Sequence, residues 1–77
     1  MGNKSFKYDK ILAKKFGKKI AFLRKDLGLT QDELAFKANI SPSYLSSIER
    51  GITDTTISTA KRLAKSLNIS LSKLFIY

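Results

Sequence analysis

TQDELAFKANISPSYLSSIERG, residues 30–51, carries the signals for two short helices and the turn between them. Its opening Thr-Gln-Asp-Glu is the capping-box pattern, in which a threonine and a glutamate three residues later satisfy each other's backbone N–H groups. Asn39 tolerates the left-handed conformation that ends many helices, so it predicts the end of the first helix. Ser41 and Pro42 predict the start of the second, because serine caps a helix start and proline needs no N–H at the first position.

The connection between these two helices is about three residues long, which forces them to cross steeply and to touch near the turn. We expect Ala35 to lie where the two backbones approach each other and Ile40 to fill the space beneath the turn. Burial of Leu45 and Ile48 leaves the second of these helices with an outer face of short, uncharged side chains: Pro42, Ser43, Tyr44, Ser46 and Ser47. This face is suited to close approach to another surface.

Before this stretch, the apolar residues recur at helical spacing. They predict helix one over residues 8–27, ending before Gly28, with an apolar face made of Leu12, Phe16, Ile20, Leu23 and Leu27. The two helices of residues 30–51 are therefore helices two and three, and Gly51 ends helix three.

After this stretch, two more helices are predicted. Helix four begins after Thr55 or Thr56 and ends at Asn68, and its expected buried residues are Ile57, Ala60, Leu63, Ala64 and Leu67. Helix five is capped by Ser70 and carries Leu71, Leu74 and Phe75. Both helices begin after a hydroxyl side chain, which is a preferred residue for capping a helix start.

The 77 residues of the chain suit a single domain with one small core. No segment alternates polar and apolar residues over a useful length, so we expect no strand. The sequence therefore predicts an all-α fold. It is a compact five-helix bundle over residues 8–77, preceded by a flexible basic tail, residues 1–7.

Charge is distributed unevenly along the chain. Fifteen Lys and Arg against six Asp and Glu give a net charge of +9, and residues 1–25 hold nine of the basic residues with one acid. An excess of this sign attracts polyanions, either nucleic acid or an anionic lipid surface. The alternative is that the charge serves solubility alone.

Several classes of protein are disfavoured by composition. The absence of cysteine and histidine excludes a disulfide framework and most transition-metal sites, and it favours a cytoplasmic location. No apolar run approaches the roughly 20 residues that span a bilayer, and the N-terminus has no apolar signal core. We find no glycine loop, histidine base or paired carboxylates typical of catalysis. We therefore expect no enzyme, cofactor, metal ion, membrane association or small-molecule ligand.

Residues 30–51 resemble the helix-turn-helix of the Cro and lambda-repressor type, through Gln31, Leu34-Ala35, the Asn39-Ile40 turn and the closing Ile-Glu-Arg-Gly. FGKKIAFLRKDLGLT, residues 16–30, resembles the first helix of that family, and residues 56–75 resemble its fourth and fifth helices. The resemblance implies a lambda-repressor-like bundle that binds double-stranded DNA sequence-specifically and regulates transcription.

The resemblance also assigns roles to residues. Helix three, residues 42–50, would enter the major groove with its N-terminal half at the base edges. DNA contacts are implied for Gln31, Ser41, Pro42, Ser43, Tyr44, Ser46, Ser47, Arg50, Thr53 and Thr55. Among these, Gln31, Thr53 and Thr55 would contact the sugar-phosphate backbone. A mostly buried ion pair between Arg24 and Glu49 would orient helix three.

The residues themselves leave alternatives open. The serines of helix three can simply face solvent, and Tyr44 can pack its ring against the edge of the domain. Gln31 can help to cap helix two rather than bind phosphate. Glu49 can form an ordinary surface pair with Arg50, which would contribute little to stability.

Helix three has no Arg, Lys, Gln or Asn at positions 42–47. The bidentate contacts that best distinguish guanine or adenine are therefore absent from those positions. Our hypothesis is that specificity depends on DNA shape, bridging water and half-site spacing. Arg50 or the basic tail would supply an additional groove contact.

One such domain covers a half-site, so the resemblance implies a homodimer. The candidate dimer surface is an apolar patch of Leu71, Phe75, Ile76 and Tyr77; the alternative is that these residues complete the core. The basic N-terminal third has three interpretations: contact with phosphates outside the helix-turn-helix, nonspecific capture of DNA, or a solvated helix face.

Within the family, short single-domain chains resemble phage-type repressors and restriction-modification controller proteins. An antitoxin or a regulator of another mobile element is a further alternative. From other classes, we consider a module whose helix three binds a protein, and a basic helix one that lies on a membrane surface. The membrane interpretation is disfavoured because the apolar residues of helix one are needed for the core.

Overall fold

Four α-helices and one short 3-10 helix make up the part of the chain that the structure, a computed structural model, describes: residues 9–76. They are α1 (Lys10–Asp26), α2 (Gln31–Ala38), α3 (Pro42–Glu49), α4 (Ile57–Ser66) and the 3-10 helix η1 (Leu71–Phe75). No strand occurs in residues 9–76, which agrees with the all-α prediction.

The fifth helix differs from the prediction in type. Leu71–Phe75 is a 3-10 helix of five residues, and the Ser70 side chain caps none of its backbone N–H groups. The Ser70 hydroxyl instead lies 3.2 Å from that of Ser72. So short a segment is typical of 3-10 geometry, in which hydrogen bonds close over three residues rather than four.

The start and end signals around α2 have the predicted geometry. Glu33 N donates to Thr30 Oγ1 at 3.1 Å, and Thr30 N donates to Glu33 Oε1 at 2.8 Å, so the capping box is complete. Asn39 has φ 57° and ψ 46°, the left-handed conformation expected at the turn. Ser41 Oγ then accepts from Tyr44 N at 3.1 Å and begins α3.

The structure fixes the first residues of two helices, α4 and α1, more narrowly than the sequence does. Of the two candidate caps for α4, Thr56 is the one used, because its Oγ1 accepts from Thr59 N at 3.1 Å. α1 begins at Lys10 rather than at residue 8, because Asp9 Oδ1 accepts from Leu12 N at 3.1 Å and so caps the helix. The predicted tail, residues 1–7, lies outside the described residues, as do Tyr8 and Tyr77.

The core forms between α1, α2, α3, α4 and η1, and most of its predicted members are buried. It consists of Phe16, Ile20, Leu34, Ala35, Ala38, Leu45, Ile48, Ala60, Leu63, Ala64, Leu67 and Leu74. Three predicted core residues are exposed instead: Leu12, Leu27 and Ile57. Each of the three lies in the first turn of a helix or just after its last residue, where neighbouring helices do not cover it. Phe75 of η1 is also exposed.

Two glycines let α1 and the end of α3 pack backbone against backbone. A Cβ on Gly17 would lie 2.7 Å from the Glu49 carbonyl oxygen and closer still to that of Ile48. A Cβ on Gly51 would lie 2.7 Å from the Cα of Lys14. Since a real Cβ does not tolerate such distances, only glycine allows this approach. α1 therefore fixes the position of the C-terminal end of α3.

Candidate nucleic-acid interface

α3 packs between α1 and α2 and leaves one face uncovered. Leu45 and Ile48 are buried against the core. The opposite side carries the residues predicted to approach DNA. Ser41, Pro42 and Ser43 are exposed, whereas Tyr44, Ser46 and Ser47 are half-buried. The uncovered face is thus polar, short-chained and free of charge along the first six residues of the helix.

The N-terminal end of this face is organised by serine hydroxyls. Ser41 Oγ accepts from Tyr44 N and also lies 3.5 Å from Ser43 Oγ. Ser41 therefore serves first as a helix cap, a role that leaves its hydroxyl proton able to rotate toward an acceptor outside the chain. The Tyr44 ring packs against the core cluster while the residue stays partly exposed.

A buried ion pair holds the other end of α3. Arg24 Nε donates to Glu49 Oε2 at 2.7 Å, and Arg24 Nη2 donates to Glu49 Oε1 at 3.0 Å. The two side chains are only 10% and 6% exposed. A bidentate pair of this kind fixes direction as well as distance. It therefore sets the orientation of α3 relative to α1.

Two further contacts complete this network. Arg24 Nη1 donates to the Leu29 carbonyl oxygen at 2.8 Å, and Gln31 Nε2 donates to Glu49 Oε1 at 3.0 Å. The hydrogen bonds that Arg24 donates to Glu49 raise the pKa of the Arg24 guanidinium, which therefore keeps its positive charge. Glu49 thus joins α1, the start of α2 and the end of α3 in one cluster.

The structure decides between two pairings proposed for Glu49. Its carboxylate binds Arg24, and the surface pair with Arg50 does not form. Arg50 is exposed, and its guanidinium makes no ion pair or hydrogen bond within residues 9–76. It lies directly after α3, where it is free to reach a ligand outside the chain.

Gln31 has a contact that the sequence interpretation missed. The sequence predicts a phosphate ligand or a helix cap, whereas in the structure one amide N–H of Gln31 donates to Glu49 Oε1. The second amide N–H has no partner in the described part of the chain. Because Gln31 is only half-buried, this second N–H is open to a ligand outside the chain, while the first N–H binds the ion pair.

The loop after α3 borders two surfaces, the one beside α3 and an apolar groove. Thr53 and Thr55 are half-buried, and Thr53 Oγ1 lies 3.4 Å from the Asp54 carbonyl oxygen, to which it donates. The same loop borders an apolar groove of about 450 Å³, whose walls include Leu12, Phe16, Ile57 and Phe75. The threonines therefore line a groove edge as well as the surface beside α3.

The predicted dimer surface is partly in the core and partly exposed. Leu71 is half-buried, whereas Phe75 and Ile76 are 46% and 63% exposed. The Phe75 ring stacks on Phe16 with centroids 5.6 Å apart. Lys19 Nζ donates to the Ile76 carbonyl oxygen at 2.8 Å and so ties the chain end to α1. Tyr77 is outside the described residues.

No helix within residues 9–76 is long and apolar enough to cross a bilayer. The same range contains no group of three or more Asp and Glu side chains arranged to hold a metal ion.

Comparison with known sequences gives a family. The profile of the family described as helix-turn-helix matches residues 20–74. The uncharacterised HTH-type transcriptional regulator y4dJ of Sinorhizobium fredii is 41% identical over 59 residues, which span 77% of each chain. Several other curated relatives are longer, and the match spans 40% to 54% of their length.

Comparison with solved structures supports the same assignment. The restriction-modification controller protein C.AhdI from Aeromonas hydrophila superposes with a TM-score of 0.80 at 35% identity, covering 82% of the chain and 96% of the controller. The biofilm master regulator SinR, solved in complex with DNA, gives a TM-score of 0.75 at 37% identity, covering 79% and 98%. The profile match and these likenesses extend through the turn and both helices that form the candidate interface, and the chain belongs to the helix-turn-helix family.

Proposed function

We propose that this helix-turn-helix protein is a cytoplasmic transcriptional regulator that binds specific double-stranded DNA sites with α3 in the major groove. The observation that carries the proposal is that α3 combines an exposed outer face with a fixed orientation. A short-chained uncharged outer face is held in one orientation by the buried Arg24–Glu49 pair. The likeness to a regulator solved with DNA supports it. The protein acts by binding, without a catalytic step or cofactor.

The residues have different roles in this proposal. The short side chains at positions 42–47 let the α3 backbone come close to the base edges, where serine hydroxyls give weak sequence readout. The free amide N–H of Gln31 and the hydroxyl of Thr55 bind phosphates and fix the register. The Thr53 hydroxyl joins them by turning away from the Asp54 carbonyl oxygen, to which it donates over 3.4 Å. Arg50 reaches a groove edge or phosphate beyond the end of α3. Specificity then depends largely on DNA shape and bridging water.

The functional unit is a homodimer that uses the exposed apolar surface near the chain end. Phe75 lines the same groove as Leu12 and Ile57, and Ile76 follows it along the chain. These four exposed side chains lose contact with water when a second copy covers them. Twofold pairing places two α3 helices about 34 Å apart, one turn of DNA. The likeness to C.AhdI supports a restriction-modification controller. A phage-type repressor is the second candidate, because an immunity repressor of Bacillus phage phi105 is 43% identical over 58 residues.

Selection from random duplex DNA tests this function directly. We expect enrichment of a site with twofold symmetry whose half-sites are about 10 base pairs apart. Sedimentation at micromolar concentration should show a dimer. Failure to enrich any duplex sequence would contradict sequence-specific binding, and enrichment of an unpaired half-site by a monomer would contradict the dimer alone.

A further inference from the structure

We infer that a stripe of lysines on α1 is a second DNA-binding surface, which holds the phosphate backbone of the same duplex that α3 reads. The stripe consists of Lys10, Lys14, Lys18 and Lys25. Their spacing of four, four and seven residues places them on one face of the helix. Consecutive members four residues apart are separated by about 6 Å along the axis. The inference rests on the proposed function.

The stripe borders the end of the reading helix. The Cα and Cγ of Lys14 lie against Gly51, the residue that follows Arg50 after α3. The next residues form the loop that carries Thr53, a proposed phosphate contact. The α1 backbone therefore runs past the point where α3 ends and this loop begins. A duplex that covers α3 and the loop lies within reach of long side chains at the neighbouring edge of α1.

The charge distribution calls for such a surface. From α2 through Thr56, the chain has two cations, Lys37 and Arg50, against four acids: Asp32, Glu33, Glu49 and Asp54. A surface with this balance does not attract DNA, whose affinity for proteins comes largely from neutralised phosphates. α1 holds seven basic residues and one acid. Residues 57–76 add four cations on α4 and η1, but it is α1 that borders the end of α3, through Lys14 against Gly51. α1 is therefore the basic element nearest to a duplex that covers α3.

The stripe lysines are also available. Arg24 is committed to Glu49, and Lys19 donates to the Ile76 carbonyl oxygen. The four stripe lysines are exposed, and none makes an ion pair or a side-chain hydrogen bond within residues 9–76. Like charges four residues apart on a helix repel each other and weaken it. A stripe that costs stability and has no internal partner is explained by an external anion.

The test is the salt dependence of binding to a selected duplex. Lys14→Gln with Lys18→Gln removes two charges and keeps the Cβ and Cγ of both side chains, including the Lys14 Cγ that lies near Gly51. Lys61→Gln with Lys65→Gln, on α4, removes the same charge at the same spacing from exposed positions away from α3. We expect the slope of log Kd against log salt to become shallower by about 1.8 in the α1 variant, since each phosphate contact contributes about 0.9. The control slope should stay close to that of the parent.

A melting temperature equal to or above that of the parent is expected for the α1 variant, because repulsion is relieved. This result separates a binding role from a structural one. Equal salt slopes for the parent and the α1 variant would overturn the inference. Equal changes of slope in the α1 variant and the α4 control would overturn it as well, because they would show that only net charge matters. If the parent binds no duplex at all, the proposed function itself fails.

Discussion

α3 and the lysine stripe of α1 lie side by side and are built in opposite ways. α3 presents an uncharged face, and its end is fixed by a buried ion pair and two glycine contacts. The stripe is charged and exposed and makes no ion pair or side-chain hydrogen bond with the described residues. The difference indicates a division of work: α3 supplies position and shape, and α1 supplies attraction. Shape readout needs a rigid element, whereas phosphate attraction tolerates mobile side chains.

Glu49→Ala removes the ion pair that fixes the end of α3. It leaves the Arg24 guanidinium buried without a counter-charge and also removes the acceptor for Gln31. We expect the free energy of unfolding to fall by about 3–5 kcal/mol in urea titrations. Asp54→Ala, at an exposed loop carboxylate, should change it by less than about 0.5 kcal/mol. A loss below about 1 kcal/mol at Glu49 would mean that the pair behaves like a surface salt bridge.

Gly17→Ala and Lys18→Ala test adjacent positions on the two sides of α1. The alanine Cβ at Gly17 meets the backbone carbonyls of Ile48 and Glu49, which cannot rotate away, so we expect a loss of about 3 kcal/mol. Lys18→Ala removes a stripe charge at an exposed site and should leave stability within about 0.5 kcal/mol. Its effect should appear in DNA affinity at low salt. Equal stability of the two variants would contradict the close packing of α1 on α3.

The start of α2 gives a smaller, pH-dependent effect. Hydrogen bonds from the Thr30 backbone N–H and the Thr30 hydroxyl lower the pKa of Glu33. A lowered pKa in the folded state means that the ionised carboxylate stabilises the fold at neutral pH, and this contribution is lost as the pH falls through the lowered pKa. Glu33→Gln should therefore be less stable than the parent at pH 7, with the difference disappearing in acid. Parallel stability curves across this range would contradict the capping role.

Local features of the fold could be predicted because they depend on neighbouring residues. The capping box of Thr30 and Glu33 and the left-handed Asn39 need only short-range sequence patterns, and both have the predicted geometry. Burial at helix ends could not be predicted in the same way. Periodicity identifies the apolar side of α1 and α4, but it does not show where a neighbouring helix stops. It therefore wrongly places Leu12, Leu27 and Ile57 in the core.

The candidate site could also be predicted only in part. The resemblance located α3 and suggested Arg24 with Glu49, whereas the residues alone also allowed a pair with Arg50. The Gln31–Glu49 hydrogen bond joins residues 18 positions apart and depends on the crossing of α2 and α3. The sequence signal that could have indicated this hydrogen bond is the placement of Gln31 at the first position of α2 and of Glu49 at the last position of α3. The DNA contacts themselves stay predictions.

The most direct test of the central claim, that the outer face of α3 enters the groove, is the duplex affinity of Ser43→Glu and Ser47→Glu. Lys65→Gln, an equal charge change at an exposed position of α4 away from α3, is the control. A carboxylate placed among phosphates should weaken binding by about 10-fold or more, at least 1.4 kcal/mol, whereas the control should bind nearly as the parent does. Circular dichroism and thermal unfolding establish that each variant is folded. Folded Ser43 and Ser47 variants that bind the selected duplex as tightly as the parent would contradict the account.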